Sequence, residues 1–299
     1  MTGARAPLPT RWRDVAWAGT ALLVCGAALG APLDAIAPPA LALALLIGVP
    51  HGAFDGELLE QLAPRARRAR LAVYAGAVLA VWLGWSLAPG LATAAFVAVS
   101  VWHFGEGDLR GVLGRRPSAR GALGRGLAVV GVPLLADWAM TQPVLSAMAA
   151  TDLLARVPAE LAWWVALGLA LQHVWAVIAG GAEARELGET LTLLAAMLVA
   201  PALLTFAVYF GLWHAPSHLL ALARARRAAP SRGTRALELG SAALGLALVA
   251  LGWWWSSSPT DRATPAALAG ALVALAALTV PHALVVELWR LRLGSCARG

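Results

Sequence analysis

At 299 residues, 60% of them apolar and 13% charged, with a mean hydropathy of +0.72, the chain is far too apolar for an ordinary water-soluble domain of its size. A formal charge of +7 and a pI near 11.0 would suggest nucleic-acid binding in a soluble protein, but here all 23 basic residues are arginines in short clusters between apolar runs, the pattern of membrane topology. The lack of lysine excludes a retinal Schiff base, and the two cysteines, Cys25 in the first apolar segment and Cys296 in the polar tail, support neither a disulfide framework nor a thiolate metal site.

A membrane span needs roughly 20 apolar residues. On that length the sequence predicts helices near 14–31, 36–58, 71–88, 91–109, 126–148, 158–180, 189–204, 205–223, 236–256 and 265–289. The first is read as a retained helix, since its apolar stretch is long and no cleavage site follows it. The count turns most on the pair divided near Pro201, whose first member is short. The expected fold is all-α, a polytopic transmembrane bundle of about ten spans, eight being the lower count. Residues 1–299 are expected to form a single integral-membrane domain, with no soluble domain and no linker.

The arginines fall on alternate sides of this scheme. Arg5, Arg11 and Arg13 precede the first span, Arg65 to Arg70 follow the second, and Arg110 to Arg125 follow the fourth. Arg185 follows the sixth, Arg224 to Arg235 the eighth and Arg290 to Arg298 the tenth, leaving Arg156 and Arg262 on the other side. Basic residues collect on the cytoplasmic side, so the cell (inner) membrane is the expected location, with several passes and both termini in the cytoplasm.

All six histidines fall inside predicted helices, where ionisable side chains are costly and usually functional. His51, His103, His173, His214, His218 and His282 each sit in a helix running toward the cytoplasm. At 1.5 Å per residue they lie roughly 10 to 20 Å from the basic boundary. Five helices therefore bring His to one depth, as a shared metal site requires. The sharpest local element is His214-Ala-Pro-Ser-His218, because residues four apart share one helix face and can hold one ion. Pro216 between them removes a backbone hydrogen bond and predicts a bend. One of the two could instead be a polar contact between helices.

His51 stands in Gly48-Val-Pro-His-Gly-Ala-Phe-Asp55, and Asp55 one turn on is expected to hold its ring. His103 stands in Trp102-His-Phe-Gly-Glu-Gly-Asp108, with Glu106 in a comparable place, while Asp108 is expected to cap the membrane boundary beside Arg110. His173 is read as an interfacial residue on a backbone carbonyl. His282, which follows Pro281 as His51 follows Pro50, is open to a ligand or a supporting role. Of fourteen tryptophans, most are read as interface anchors, and Trp102, Trp175 and Trp213 as pocket walls. No phosphate-binding loop, nucleophile elbow or base-reading module is present in the sequence, so no nucleic-acid partner is expected.

Neutral imidazoles without a firm carboxylate ligand suit Fe(II), Zn(II) or Cu and disfavour Mg(II) or Ca(II). A site inside the bilayer calls for a lipid-soluble substrate entering sideways. At this point the chain resembles a family. Gly-Val-Pro-His-Gly-Ala-Phe-Asp, Trp-His-Phe-Gly-Glu-Gly-Asp, Trp-His-Ala-Pro-Ser-His and Val-Pro-His-Ala-Leu-Val-Val-Glu look like the ordered motifs of the Brp/Blh family of membrane β-carotene 15,15'-dioxygenases, over residues 48 to 287. The resemblance implies cleavage of the central double bond of all-trans-β-carotene by O2 into two all-trans-retinal molecules. It implies nonheme Fe(II) on His51, His103, His214 and His218, with His282 an additional site residue and Glu106 and Asp55 supporting the ligands. It also implies a retinal hand-off to a microbial rhodopsin as a partner. Two departures stand out: Gly56 where a second His is expected after the acid, and Ser217 where a basic residue is expected before His218.

Four rivals remain. The same histidine-rich oxygenase could act on another carotenoid or lipid. A di-iron enzyme usually needs about eight His in paired boxes, and this chain has six with one pair. A b-type cytochrome would use two His and leave the others unexplained. A membrane transporter with a His and acid relay predicts matched broken-helix repeats, and the only echo here is Val-Pro-His.

Overall fold

The computed structural model describes residues 9–49, 52, 55–62, 67–111, 118–220, 235–256 and 264–296, and these are all-helical. Helix α1 (Thr10–Ala28) ends at Leu29 and Gly30, where a positive φ of 69° lets the Ala31 amide reach back to the Gly26 carbonyl at 2.9 Å. Helix α2 (Leu33–Gly48) follows, then α3 (Asp55–Leu62), so the stretch expected as one helix over 36–58 is two helices flanking Pro50. Pro50 and His51 lie outside the described residues. Helices α4 (Arg67–Leu87) and α5 (Pro89–Gly111) match the expected pair at 71–88 and 91–109.

The expected helix over 126–148 is also divided. Helix α6 (Ala119–Gly126) runs through a π-helical turn at Leu127–Gly131 into α7 (Val132–Ala136), and α8 (Trp138–Ala149) starts only after Asp137 leaves helical geometry at φ −105°, ψ 53°. The break has a use: the Asp137 carboxylate accepts the Ala202 amide at 2.9 Å. It thereby caps the helix that begins after Pro201, whose first amides have no partner within their own helix. Helices α9 (Ala159–Ala179), α10 (Ala184–Val199) and α11 (Ala202–Val208) come next, and α11 passes through a second π-helical turn, Tyr209–His214, into helical residues 215–220. Helices α12 (Arg235–Ser256) and α13 (Pro265–Cys296) close the chain.

Among the described residues three stretches are long and apolar enough to cross a membrane: Ala119–Ala136, Ala159–Ala179 and Pro265–Trp289. Apolar helices at Leu33–Leu46, Ala72–Leu87 and Ala242–Trp254 are shorter. The periphery is apolar as well, with Leu22, Val73, Leu91, Leu171 and Trp175 all about 60% exposed or more. So continuous an apolar exterior suits hydrocarbon better than water.

Helices meet closely where side chains are smallest, as in lipid, where packing and not water exclusion holds helices together. A Cβ on Gly105 would meet the Ala122 carbonyl and the Gly126 amide, and one on Gly126 would meet the Val101 carbonyl, so α5 and α6 touch backbone to backbone. Gly252 makes the same approach to Gly270 between α12 and α13. The main core joins Phe104 of α5 to Leu193, Leu194 and Met197 of α10 and to Tyr209, Phe210 and Trp213 of the second π turn. At one end, Arg185 at the start of α10 pairs with Asp14 of α1 at 2.7 Å and with Glu189 at 2.9 Å, and Arg13 also pairs with Glu189. The starts of α1 and α10 therefore lie at one level.

Candidate functional site

Four histidines come together inside this bundle. His103 is on α5, His214 and His218 are on the second π turn and the helix after it, and His282 is on α13; all are at most 6% exposed. Ring centroids are 5.3 Å apart for His103 and His214, 6.3 Å for His103 and His218, and 5.2 Å for His103 and His282. The His214 and His218 rings are 6.4 Å apart, and those of His218 and His282 5.1 Å. His51, expected in the same group, lies outside the described residues.

Local structure explains how two rings from one helix face inward. Pro216 offers no N–H to the Leu212 carbonyl one turn earlier, and that carbonyl accepts the Trp12 indole N–H of α1 at 2.6 Å. The expected bend takes the form of a π turn ending at His214, a feature frequent at functional sites. Ser217 donates to the His214 carbonyl at 2.7 Å, and its Oγ would be 2.9 Å from a Cβ on Gly111, so α5 and this helix are in contact there. Phe104 packs 4.4 Å from His214 and Phe210 stacks on it at 6.0 Å and 15°, giving an apolar wall. Trp213 is buried against α1, its indole donating to Thr20 at 3.1 Å. Trp175, expected as a pocket wall, is 72% exposed and faces outward.

The acids near the cluster reach partners beyond those expected of them. Asp55 is 3% exposed, and its two oxygens are taken by His282 Nδ1 at 2.6 Å and by the Tyr74 hydroxyl at 2.9 Å. Helical proximity suggested His51, which lies outside the described residues, as its partner; the imidazole seen on it is 227 residues away, on α13. Glu106, expected on His103, is paired with Arg110 one turn along its own helix. Asp108, expected as a boundary cap beside Arg110, is fully buried: Arg125 of α6 donates to Oδ2 at 2.9 Å, Oδ1 faces His214 Nδ1 at 3.7 Å, and the Tyr209 hydroxyl adjoins it. His173 is not interfacial either. It is 6% exposed, with Nε2 3.4 Å from Arg125 Nη1.

Arg125, Tyr74 and Tyr209 were not legible in the sequence as site residues. Arg125 stood within a run assigned to a cytoplasmic boundary. The scarcity of tyrosine was the available signal, since the chain has two and each adjoins a buried carboxylate behind a clustered histidine.

As the structure stands, no group of three or more His, Cys, Asp or Glu side chains among the described residues is arranged to hold a metal ion. The donor set nonetheless fits one in type. Ligand nitrogens about 2.1 Å from an ion place rings bound at right angles roughly 4.6 Å apart between centroids and opposed rings roughly 6.5 Å apart. The separations observed run from 5.1 to 6.4 Å. Neutral imidazoles are ligands for Fe, Zn or Cu, and a carboxylate behind the far ring nitrogen is the usual support for such a ligand. A cavity of about 350 Å³ lined by Asp137, Trp138, Glu160, Trp163 and Trp164 shares no residue with the cluster.

The family model described as beta-carotene 15,15'-dioxygenase matches residues 42–290. A protein of Halobacterium salinarum named as a probable beta-carotene 15,15'-dioxygenase Blh is 30% identical over 95% of this chain and 93% of its own length. A beta-carotene 15,15'-dioxygenase from uncultured marine bacterium 66A03 is 26% identical over 83% of this chain and 92% of its own. No solved structure matches.

Proposed function

Because the chain belongs to the beta-carotene 15,15'-dioxygenase family, we propose that it cleaves the central 15,15' double bond of β-carotene with O2, giving two all-trans-retinal molecules. The observation that carries the reading is the cluster of His103, His214, His218 and His282, brought together and buried by three helical stretches of an apolar bundle. In this reading His51, His103, His214 and His218 hold nonheme Fe(II), and His282 stands beside them. Bound there, Fe(II) supplies the activation of O2 that closed-shell side chains cannot provide.

The protein's own groups do the rest. Phe104 and Phe210 line the His214 side with apolar surface, which excludes water and suits a hydrocarbon that has no group to hydrogen-bond. Asp108, held by Arg125, keeps the His214 ring oriented, and Asp55 does so for His282. The balance is simple: one carbon–carbon double bond breaks, and each of its carbons takes one oxygen atom from O2. Product retinal has no lysine here to form an imine, so it leaves as the free aldehyde and can pass to a rhodopsin.

We place the chain as one domain in the cell membrane, crossing it about ten times with both termini in the cytoplasm. The three long apolar stretches support that location, and the ion pairs between the starts of α1 and α10 support the alternation on which the count rests.

The test is retinal content, by chromatography, of β-carotene-producing cells expressing either wild type or His214→Ala at equal membrane levels. Retinal in wild type alone is expected. Wild-type amounts of retinal from His214→Ala would remove the site, and none from intact wild type supplied with iron would turn attention to longer apocarotenal products.

A further inference from the structure

We propose that His282 is itself a metal ligand, a fifth imidazole that binds through Nε2 and is held in place by Asp55 and Tyr74. The proposal rests on the reading of the cluster as a metal site and adds to it a residue with its support.

Three observations carry it. The His282 ring is as close to two of the other rings as those are to their neighbours, 5.2 Å from His103 and 5.1 Å from His218, so it stands beside both within the cluster. Its Nδ1 meets Asp55 Oδ1 at 2.6 Å; with the carboxylate ionised, Nδ1 donates and Nε2 carries the lone pair, the tautomer a ligand needs. Nε2 is fully buried. Lastly, Asp55 is not free to turn away, because the Tyr74 hydroxyl donates to Oδ2 at 2.9 Å. Imidazole, carboxylate and phenol come from α13, α3 and α4, and the first two are buried ionisable groups, costly to place there without partners.

Carboxylate–histidine pairs of this geometry raise ligand basicity and fix ring orientation, and breaking one typically weakens metal binding about 10- to 100-fold.

The experiment measures Fe(II) affinity of the full-length protein in detergent, without oxygen, by competition with a chelator. Wild type is compared with His282→Ala, Tyr74→Phe and His214→Ala, and the melting temperature of each is recorded without metal. Kd should rise at least about tenfold in His282→Ala and by a smaller factor in Tyr74→Phe, whether or not metal-free melting of Tyr74→Phe also falls; a merely structural tyrosine would move melting and leave Kd alone. If His282→Ala does not fold, Tyr74→Phe decides. Wild-type Kd in both variants, with metal lost from His214→Ala, overturns the fifth ligand while the four-imidazole site stands. A wild type that takes up no Fe(II) overturns both.

Discussion

Arg125 is a guanidinium at most 5% exposed in an apolar bundle, and it is neutralised by Asp108 beside His214. Removing one partner of such a pair leaves a buried charge uncompensated, at a cost of about 3–5 kcal/mol. Asp108→Asn should therefore lower both the yield of folded protein and the retinal formed per folded molecule. Glu106→Gln, whose partner Arg110 is 37% exposed and within reach of water, should do less. Retinal yield normalised to folded protein checks the order; equal losses would remove Asp108 from behind His214. The opposite order follows from helical spacing alone, which puts Glu106 three residues from His103. The histidines were legible because ionisable groups in an apolar span stand out by their cost. The carboxylates behind His282 and His214 were not, because a side chain one turn away is one neighbour among many: Asp55 reaches His282 on α13, and Asp108 reaches His214 on the second π turn and Arg125 on α6.

Helices were legible as apolar lengths, and most lie within a few residues of their expected bounds. The breaks were harder to see. Asp137 interrupts the expected 126–148 helix without a neighbouring glycine or proline, since what stabilises the break is the Ala202 amide it caps, 65 residues on. The contact of α5 with α6 was equally hidden, because it depends on which glycines face each other. Gly105→Ala would push a methyl into the Ala122 carbonyl, which cannot yield without moving a helix. Overpacking of this kind costs about 1–3 kcal/mol and shifts the helix that carries His103, so lower stability and lower activity are expected together. Gly76→Ala on α4, where a Cβ meets nothing within 4 Å, is the control and should be neutral or stabilising by up to about 1 kcal/mol. Thermal melting in detergent distinguishes the two; equal melting would show that α5 and α6 can part without cost.

Across the whole molecule the arginine pattern predicts a sidedness that the ion pairs of Arg185 with Asp14 and of Arg13 with Glu189 support, since they join two helix starts 171 and 176 residues apart in the chain. A cysteine placed at Thr10 and another at Glu183 should react with a membrane-impermeant thiol reagent from the same side of inverted vesicles. Labelling from opposite sides would break the alternation. The pairing of Asp55 with His282 also governs the order of events at synthesis. The two residues are 227 positions apart, so at 5–20 residues per second the carboxylate waits roughly 10 to 50 s in the nascent chain before its imidazole is made. Until α13 enters the membrane, Asp55 lacks its imidazole and the cluster lacks a wall. The ribosome thus delivers the last part of the cluster last, and a nascent chain arrested before residue 265 would reach the bilayer with the Asp55 carboxylate still lacking its imidazole.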